Sequence, residues 1–159
     1  MAEPHAELNA ADATATLDIG ARLAHALRHV SSQDALVVHL RGELGVGKTT
    51  LVRGALREFG VQGTIRSPTF SLLETYDVEG RVVAHLDLYR LSGDEVEGLG
   101  VRDLLASGNV LLVEWPERAA RGLPEPDVDV QLEYSQQGRR VRIDACTEAG
   151  RRLVQEWLR

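Results

Sequence analysis

The segment Gly42–Thr49, GELGVGKT, constrains the fold more than any other part of the sequence. It matches the pattern G-x-x-x-x-G-K-S/T at every fixed position. A short apolar run over 34–40 precedes it, and a helical pattern over 48–59, ended by Gly60, follows it. A strand, a glycine-rich turn and a helix in this order direct successive backbone N–H groups at one point, where a phosphate can bind. The predicted loop and first helical turn comprise Gly42, Glu43, Leu44, Gly45, Val46, Gly47, Lys48, Thr49 and Thr50.

Lys48 is the only lysine in the chain, and the other seventeen Lys+Arg residues are arginines. A compact ammonium fits a tightly wound loop in which a broad, planar guanidinium does not, which explains why the preference for arginine stops at this position. The ammonium is expected to reach the β- and γ-phosphates, and the hydroxyl of Thr49 is expected to bind Mg²⁺. The sequence therefore predicts a site for a nucleoside triphosphate with Mg²⁺.

The triphosphate is expected to be ATP. Guanine selection by the N-K-x-D motif of small GTPases is impossible here, because the single lysine already belongs to the loop. The segment Asp77–Gly80, DVEG, has the form of the D-x-x-G switch motif, but it lies where two β-rich runs are predicted to form a hairpin. We interpret DVEG as turn chemistry.

Two carboxylates end apolar runs that are predicted to be strands. Glu114 follows NVLLV and is the first choice for the metal, together with Thr49. Asp87 follows VVAHL and is expected to orient the attacking water or to share the metal, an alternative that the sequence leaves open. His85, two residues before Asp87, is expected to be structural.

The segment Arg66–Leu72, RSPTFSL, predicts a polar turn, because Pro68 restricts its own φ and the conformation of Ser67. Hydroxyls at Ser67 and Thr69 are placed to sense a γ-phosphate, as a switch loop does. A plain surface loop is an equally good reading of these residues alone.

The rest of the chain predicts a single α/β domain over 1–159, with a mixed sheet and flanking helices. Amphipathic patterns favour helices over 16–29 and 148–159, and alternating runs favour hairpins near Glu79-Gly80 and Gln137-Gly138. A net charge of −6 argues against strong binding to nucleic acid by this chain alone. With a single cysteine and no long apolar segment, a cytoplasmic location without membrane contact is expected.

Four motifs in this order, GELGVGKTT, SPTFSLLETY, HLDLYRL and VEWPER, resemble those of one bacterial family. The sequence looks like the TsaE (formerly YjeE) family of small ATPases in tRNA threonylcarbamoyladenosine biosynthesis. The resemblance runs from the helix that contains TLDIGARLAHAL to about Pro126. It implies a P-loop NTPase fold with a mixed parallel and antiparallel central sheet.

The resemblance also implies a function and partners. A family member is a weak ATPase that supports modification of the adenosine next to the anticodon in tRNAs reading codons that start with A. The transfer itself is carried out by a Kae1-like threonylcarbamoyl transferase subunit (TsaD) with its paralogue (TsaB), which would hold the tRNA. By position, the implied roles are phosphate binding and catalysis for Lys48, Mg²⁺ for Thr49 and Glu114, hydrolysis for Asp87, and a switch-like turn for Ser67 and Thr69.

Two other functions stay open at this stage. A small P-loop kinase that phosphorylates a small-molecule acceptor would need arginines clustered in a lid. Arg90, Arg102 and Arg118 are scattered among acidic residues and indicate no such lid. A nucleotide-gated binding module that rarely hydrolyses ATP is the third possibility.

Overall fold

The computed structural model describes residues 5–92, 95–119 and 121–159. Its regular elements form one seven-stranded sheet with helices against it. Two short 3₁₀ helices, Val101–Leu104 and Pro116–Arg118, lie in the connections. In chain order the elements are β1 (His5–Ala10), α1 (Ala13–His29), β2 (Leu36–Arg41), α2 (Lys48–Glu58), β3 (Leu73–Val78), β4 (Arg81–Asp87), α3 (Glu95–Gly98), β5 (Val110–Glu114), β6 (Val128–Ser135), β7 (Gly138–Ala145) and α4 (Glu148–Trp157).

The sheet is mixed, as predicted, and its strand order is β1-β7-β6-β2-β5-β4-β3. The four strands β6, β2, β5 and β4 are parallel to one another, and antiparallel pairing adds β7 and β1 on one side and β3 on the other. Strands β2 and β5 lie at the centre, and their apolar residues are buried on both faces, as expected for central parallel strands. Their carboxyl ends meet at one edge, where α/β proteins bind ligands.

Both predicted hairpins are present. Strands β3 and β4 are joined by Glu79-Gly80, whose φ angles of 53° and 83° are those of a two-residue turn of the primed type. The DVEG segment therefore ends β3 and forms this turn, as interpreted. The second turn lies one residue earlier than predicted, because Ser135 pairs with Gly138.

The first strand was not predicted. Strand β1 is an edge strand, and its residues pair with β7 from His5–Asp144 to Ala10–Arg139. Only Ala10 of this strand is buried, so the sequence carries little hydrophobic signal there. Helix α1 also starts three residues earlier than predicted, because the Asp12 carboxylate accepts a hydrogen bond from the Ala15 N–H at 2.9 Å and caps the helix.

The two faces of the sheet are covered differently. Helices α1, α2 and α4 pack on one face over a large apolar cluster. Helices α1 and α2 approach each other closely at two glycines: a Cβ on Gly20 would lie 1.9 Å from the Leu51 carbonyl oxygen, and one on Gly54 would lie 2.1 Å from that of Leu17. This approach brings the start of α1 next to the loop between β2 and α2.

The opposite face carries a smaller apolar cluster, covered by the connections that follow β4 and β5. Leu88, Val96 and Val101 from the first connection are buried against it, and Trp115 packs against its edge. Within the described ranges, no helix combines the length and apolarity that a membrane crossing requires.

Candidate nucleotide-binding site

The loop between β2 and α2 has the conformation that its glycines predict. Gly42, Gly45 and Gly47 have φ angles of 144°, 81° and 120°, in the region that glycine adopts readily. A Cβ at Gly42 would lie 2.6 Å from the Leu132 carbonyl oxygen, so this position also needs a small residue. No side chain caps the start of α2 at Gly47. The first N–H groups of the helix are therefore directed at the pocket, as an anion site requires.

Lys48 is buried, and its ammonium is held inside the loop. Its Nζ donates to the carbonyl oxygen of Gly42 and, at 3.0 Å, to that of Glu43. The same atom lies 4.1 Å from the centre of the Trp115 ring, within the range of a cation–π contact. Burial lowers the pKa of Lys48 below its ordinary value, and the negative charge of nearby carboxylates, Glu114 first, opposes that shift. The ammonium thus lies between the loop and the acidic residues of the site.

Glu114 is held in the site by two side chains. The Thr49 hydroxyl donates to its Oε1 at 2.8 Å, and the His85 Nε2–H donates to its Oε2 at 2.6 Å. The exposed fractions are 2% for Glu114 and 0% for His85. The structure therefore joins the two predicted metal ligands directly, and it adds a buried histidine that orients the carboxylate.

Asp87 lies opposite Glu114 in the register of β4 and β5. Its carboxylate accepts hydrogen bonds from the Ser67 hydroxyl and, at 3.1 Å, from the Tyr89 N–H. Only 6% of its surface is exposed. The predicted switch-like turn is thus bonded to the carboxylate that was expected to act in hydrolysis.

One cavity of about 340 Å³ brings most of the predicted residues together. Predicted residues that line it are Leu44, Gly45, Gly47, Lys48, Thr49, Thr50, Ser67, Thr69, Asp87 and Glu114. Gly42, Glu43 and Val46 do not line it. The carbonyls of Gly42 and Glu43 hold Lys48, and Val46 is buried in the core. The placement agrees with the predicted site, while the role of each residue stays a prediction.

Several residues at the site were missed from the sequence. His85 was expected to be only structural, yet it binds Glu114. The spacing H-x-D was the available signal, since residues two apart on a strand face the same side and Asp87 faces the site. Tyr89, Arg90 and Trp115 also line the cavity. They belong to the motifs HLDLYRL and VEWPER, which were quoted for the family resemblance, but nothing in the spacing of these residues predicted that they face the site.

The arginines are less scattered in space than in sequence. Arg90 lines the cavity, and its guanidinium lies 4.8 Å from the ring centre of Phe70, an exposed residue of the switch-like turn. Arg118 lies 5.2 Å from the ring centre of Tyr89 and 5.5 Å from that of Trp115. One arginine, Arg90, therefore lines the cavity, and a second, Arg118, contacts two aromatic residues that line it.

The donor set of the cavity fits Mg²⁺. Across residues 5–92, 95–119 and 121–159, no three or more His, Cys, Asp or Glu side chains converge as a complete metal cage. The cavity does present the Thr49 hydroxyl and the Glu114 carboxylate side by side. Mg²⁺ is commonly bound in this way, by one or two protein oxygens together with substrate phosphates and water.

Comparison with known proteins gives one consistent result. The sequence model for "Threonylcarbamoyl adenosine biosynthesis protein TsaE" matches residues 10–142. The tRNA threonylcarbamoyladenosine biosynthesis protein TsaE of Haemophilus influenzae is 38% identical over 144 residues, which cover 90% of this chain and 91% of that protein. The protein of the same name from Streptomyces coelicolor is 39% identical over 120 residues, which cover 73% of this chain and 77% of that protein.

The fold is also found in a solved structure. The crystal structure of Bacillus subtilis YdiB superposes with a TM-score of 0.75 and covers 99% of this chain and 97% of its own. The two sequences are 22% identical, so this likeness concerns the fold alone. It extends over nearly the whole length of both chains.

Proposed function

The chain belongs to the TsaE family of threonylcarbamoyladenosine biosynthesis proteins, and from that membership we propose that it is an accessory ATPase of this tRNA modification. It binds ATP with Mg²⁺ and hydrolyses it slowly when alone. Its cycle is required for threonylcarbamoylation of the adenosine next to the anticodon in tRNAs that read codons starting with A.

One observation carries the ATPase part of the proposal. The loop lysine, the loop threonine and two strand-terminal carboxylates converge in a single cavity, although they come from α2, β4 and β5. These are the parts that phosphoryl transfer requires: a phosphate cradle, oxygen ligands for the metal and a group that positions the nucleophile.

In this proposal the loop binds the β- and γ-phosphates. The uncapped N–H groups of α2 donate to the phosphate oxygens, and Lys48 exchanges its contacts with the Gly42 and Glu43 carbonyls for contacts with the phosphates. The ammonium neutralises charge that develops as the γ-phosphoryl group leaves. The Trp115 ring limits the positions that Nζ can take.

Thr49 and Glu114 would hold the Mg²⁺ ion. When bound, the ion neutralises charge on the β- and γ-phosphate oxygens. His85 keeps Glu114 turned toward Thr49, because its N–H occupies one of the carboxylate oxygens. Such outer contacts are usually needed for full metal affinity.

Asp87 would act on the attacking water. Its carboxylate is adjacent to Ser67, whose turn also carries Thr69 into the cavity. Asp87 can orient the water by accepting a hydrogen bond from it. The turn senses whether a γ-phosphate is bound.

The partners in this proposal are the transferase subunit TsaD and its paralogue TsaB, in the cytoplasm. The chain has a net charge of −6, and this excess of acid disfavours tight binding to the phosphates of RNA. We therefore assign tRNA binding to the complex rather than to this subunit alone.

The test is ATP hydrolysis by the purified chain, first alone and then with both partners and tRNA. We expect a low basal rate that rises when the partners are added and that is lost in Lys48→Ala. A rate that the partners leave unchanged would contradict the accessory role. Loss of ATP without release of phosphate would indicate transfer to an acceptor instead.

That second function, a small P-loop kinase, has one observation in its favour. Arg90 lines the cavity, where it could contact an acceptor or its phosphate, and Arg118 packs on Tyr89 at the cavity wall. Incubation of ATP labelled on its γ-phosphate with a panel of nucleosides and other small hydroxyl compounds distinguishes the accessory ATPase from the kinase. The accessory ATPase releases the label as inorganic phosphate, and a kinase transfers it.

A further inference from the structure

The switch-like turn, residues 66–72, is bonded to Asp87 at two points. Near its start, the Ser67 hydroxyl donates to the Asp87 carboxylate. At its end, the Leu72 carbonyl oxygen accepts a hydrogen bond from the Asp87 backbone N–H at 3.0 Å. The conformation of the turn therefore affects the placement of both the carboxylate and the backbone that carries it.

Leu72 closes this turn in a backbone conformation that leucine rarely adopts. Its φ angle is 65°, in the left-handed region where the Cβ of an L-residue crowds the following carbonyl oxygen. Its N–H donates to the Pro68 carbonyl oxygen at 2.7 Å, across a single turn of the chain. Turns closed by such a bond usually have glycine or asparagine at the left-handed position. A leucine here indicates that its side chain offsets the cost of this conformation.

Burial of the side chain explains how leucine keeps this conformation. Only 7% of Leu72 is exposed, yet it belongs to neither of the apolar clusters on the two faces of the sheet. A return of φ to the ordinary negative range would either expose this side chain or redirect the Leu72 carbonyl away from Asp87. The buried side chain therefore holds the strained backbone in place.

The position of the strain points to function. Within the part of the chain that the structure describes, three residues other than glycine have positive φ angles: Leu72, Glu79 and Trp115. Glu79 forms the β3–β4 hairpin turn, whereas Leu72 is bonded to Asp87 and Trp115 follows Glu114. Strained backbone of this kind concentrates at functional sites. Leu72 does not itself line the phosphate cavity, so its effect on the reaction passes through the turn and Asp87.

We propose that Leu72 is a positioning residue: its left-handed backbone, fixed by a buried side chain, keeps the switch-like turn closed on Asp87. This rests on the proposed function, because it takes Asp87 as the group that orients the attacking water. If the turn opens, the Asp87 carboxylate loses Ser67 and its N–H loses Leu72, so the carboxylate is placed less accurately. Small displacements of a positioned group reduce a reaction rate strongly. Binding of ATP, which depends on the phosphate-binding loop, is not affected.

The experiment compares substitutions that accept a left-handed backbone with substitutions that resist it. Leu72→Gly and Leu72→Asn accept it, although they remove the apolar side chain. Leu72→Ala and Leu72→Val keep more apolar surface, but their Cβ, which is branched in valine, opposes a positive φ. For each variant, turnover at saturating ATP, ATP affinity and the free energy of unfolding in denaturant are measured.

We expect activity to follow the backbone preference and not the size of the side chain. Leu72→Ala and Leu72→Val should lower turnover by about tenfold, because the turn leaves its left-handed conformation and opens. Leu72→Gly and Leu72→Asn should stay within about threefold of the wild-type rate. ATP affinity should be unchanged in all four variants. Leu72→Gly should also be more stable than Leu72→Ala, the reverse of the usual order for these two residues.

Leu105 is the matched control. It also lies in a connection, and its carbonyl oxygen accepts a hydrogen bond from the Ala35 N–H at 3.0 Å, just before β2. Its φ angle is −87°, an ordinary value. Leu105→Gly should therefore be less stable than Leu105→Ala, and both variants should hydrolyse ATP at the wild-type rate.

Three results would overturn the inference in distinguishable ways. Turnover that is highest in Leu72→Val and lowest in Leu72→Gly would show that Leu72 acts through packing alone. Wild-type turnover in both Leu72→Ala and Leu72→Val would show that the turn does not position Asp87. Absence of hydrolysis by the wild-type chain would overturn the proposed function and the effect on turnover with it, while the relative stability of Leu72→Gly and Leu72→Ala would still test the strained backbone.

Discussion

Asp87 and Glu114 end neighbouring strands at the same level of the sheet, yet they are held by different kinds of structure. Glu114 is bonded to Thr49 in α2 and to His85 in β4, so both partners belong to regular elements. Asp87 is bonded to Ser67 and Tyr89, which lie in connections. This difference agrees with the proposed roles, in which Glu114 is a fixed metal ligand and Asp87 takes part in a step that involves a loop.

This difference follows from the two faces of the molecule. The side chains of His85, Asp87 and Glu114 face α2, on the face that three long helices cover. Leu88 and Trp115, the residues that follow Asp87 and Glu114 in the chain, pack on the cluster of the other face. The site therefore lies between a face covered by helices and a face covered mainly by connecting segments. Elements with few regular hydrogen bonds are the ones that move most readily in proteins.

The largest expected effect is loss of ATP binding, on which the proposed roles of both carboxylates depend. Lys48→Ala should reduce ATP affinity by more than about a hundredfold, since the phosphates lose their buried ammonium. Lys48→Arg should bind ATP no more tightly than Lys48→Ala does, because the guanidinium is too broad for the space between the loop carbonyls and Trp115. Equilibrium titration with ATP and Mg²⁺ measures the affinity of both variants. Full affinity in Lys48→Arg would refute the steric explanation for the single lysine.

The next effect separates Asp87 from Glu114. Asp87→Asn keeps the size of the side chain. Its amide oxygen can accept from the Tyr89 N–H and its NH₂ can donate to the Ser67 hydroxyl, so the fold and ATP affinity should change little. Turnover should fall by about a hundredfold, as expected when a group that handles a proton is lost. Steady-state hydrolysis and ATP binding are measured on the same preparation. Asp77→Asn, in the exposed hairpin, is the control and should hydrolyse ATP at the wild-type rate.

The smallest effect concerns the histidine behind Glu114. His85→Leu should weaken Mg²⁺ binding in the ATP complex by about tenfold, because the carboxylate loses the bond that orients it. His39→Leu is the control, since His39 is also buried but lies on the other face of the sheet. In a Glu114→Gln background the same His85 substitution should add almost nothing. Additive losses would mean that His85 acts independently of Glu114.

Local patterns were sufficient to predict much of the fold and most of the site. The glycine spacing, the lysine and the apolar strands predict the loop, the central sheet and both carboxylates, because these signals lie within short segments. Strand β1 carries only a weak signal of this kind, since Ala10 is its one buried residue and it is held largely by backbone pairing with β7. The His85–Glu114 bond depends on the pairing of β4 with β5, and the placement of Tyr89 and Arg90 depends on a chain reversal. Neither of these can be read from spacing along one segment.

The most direct test of the account measures ATP affinity with and without Mg²⁺ in Glu114→Gln, beside Asp87→Asn and the wild-type chain. We predict that Mg²⁺ tightens ATP binding in the wild-type chain and in Asp87→Asn, and that Glu114→Gln loses this gain while its Mg²⁺-free affinity stays the same. Equal losses for Glu114→Gln in both conditions would contradict a metal role for Glu114. Loss of the Mg²⁺ gain in Asp87→Asn alone would exchange the roles of the two carboxylates.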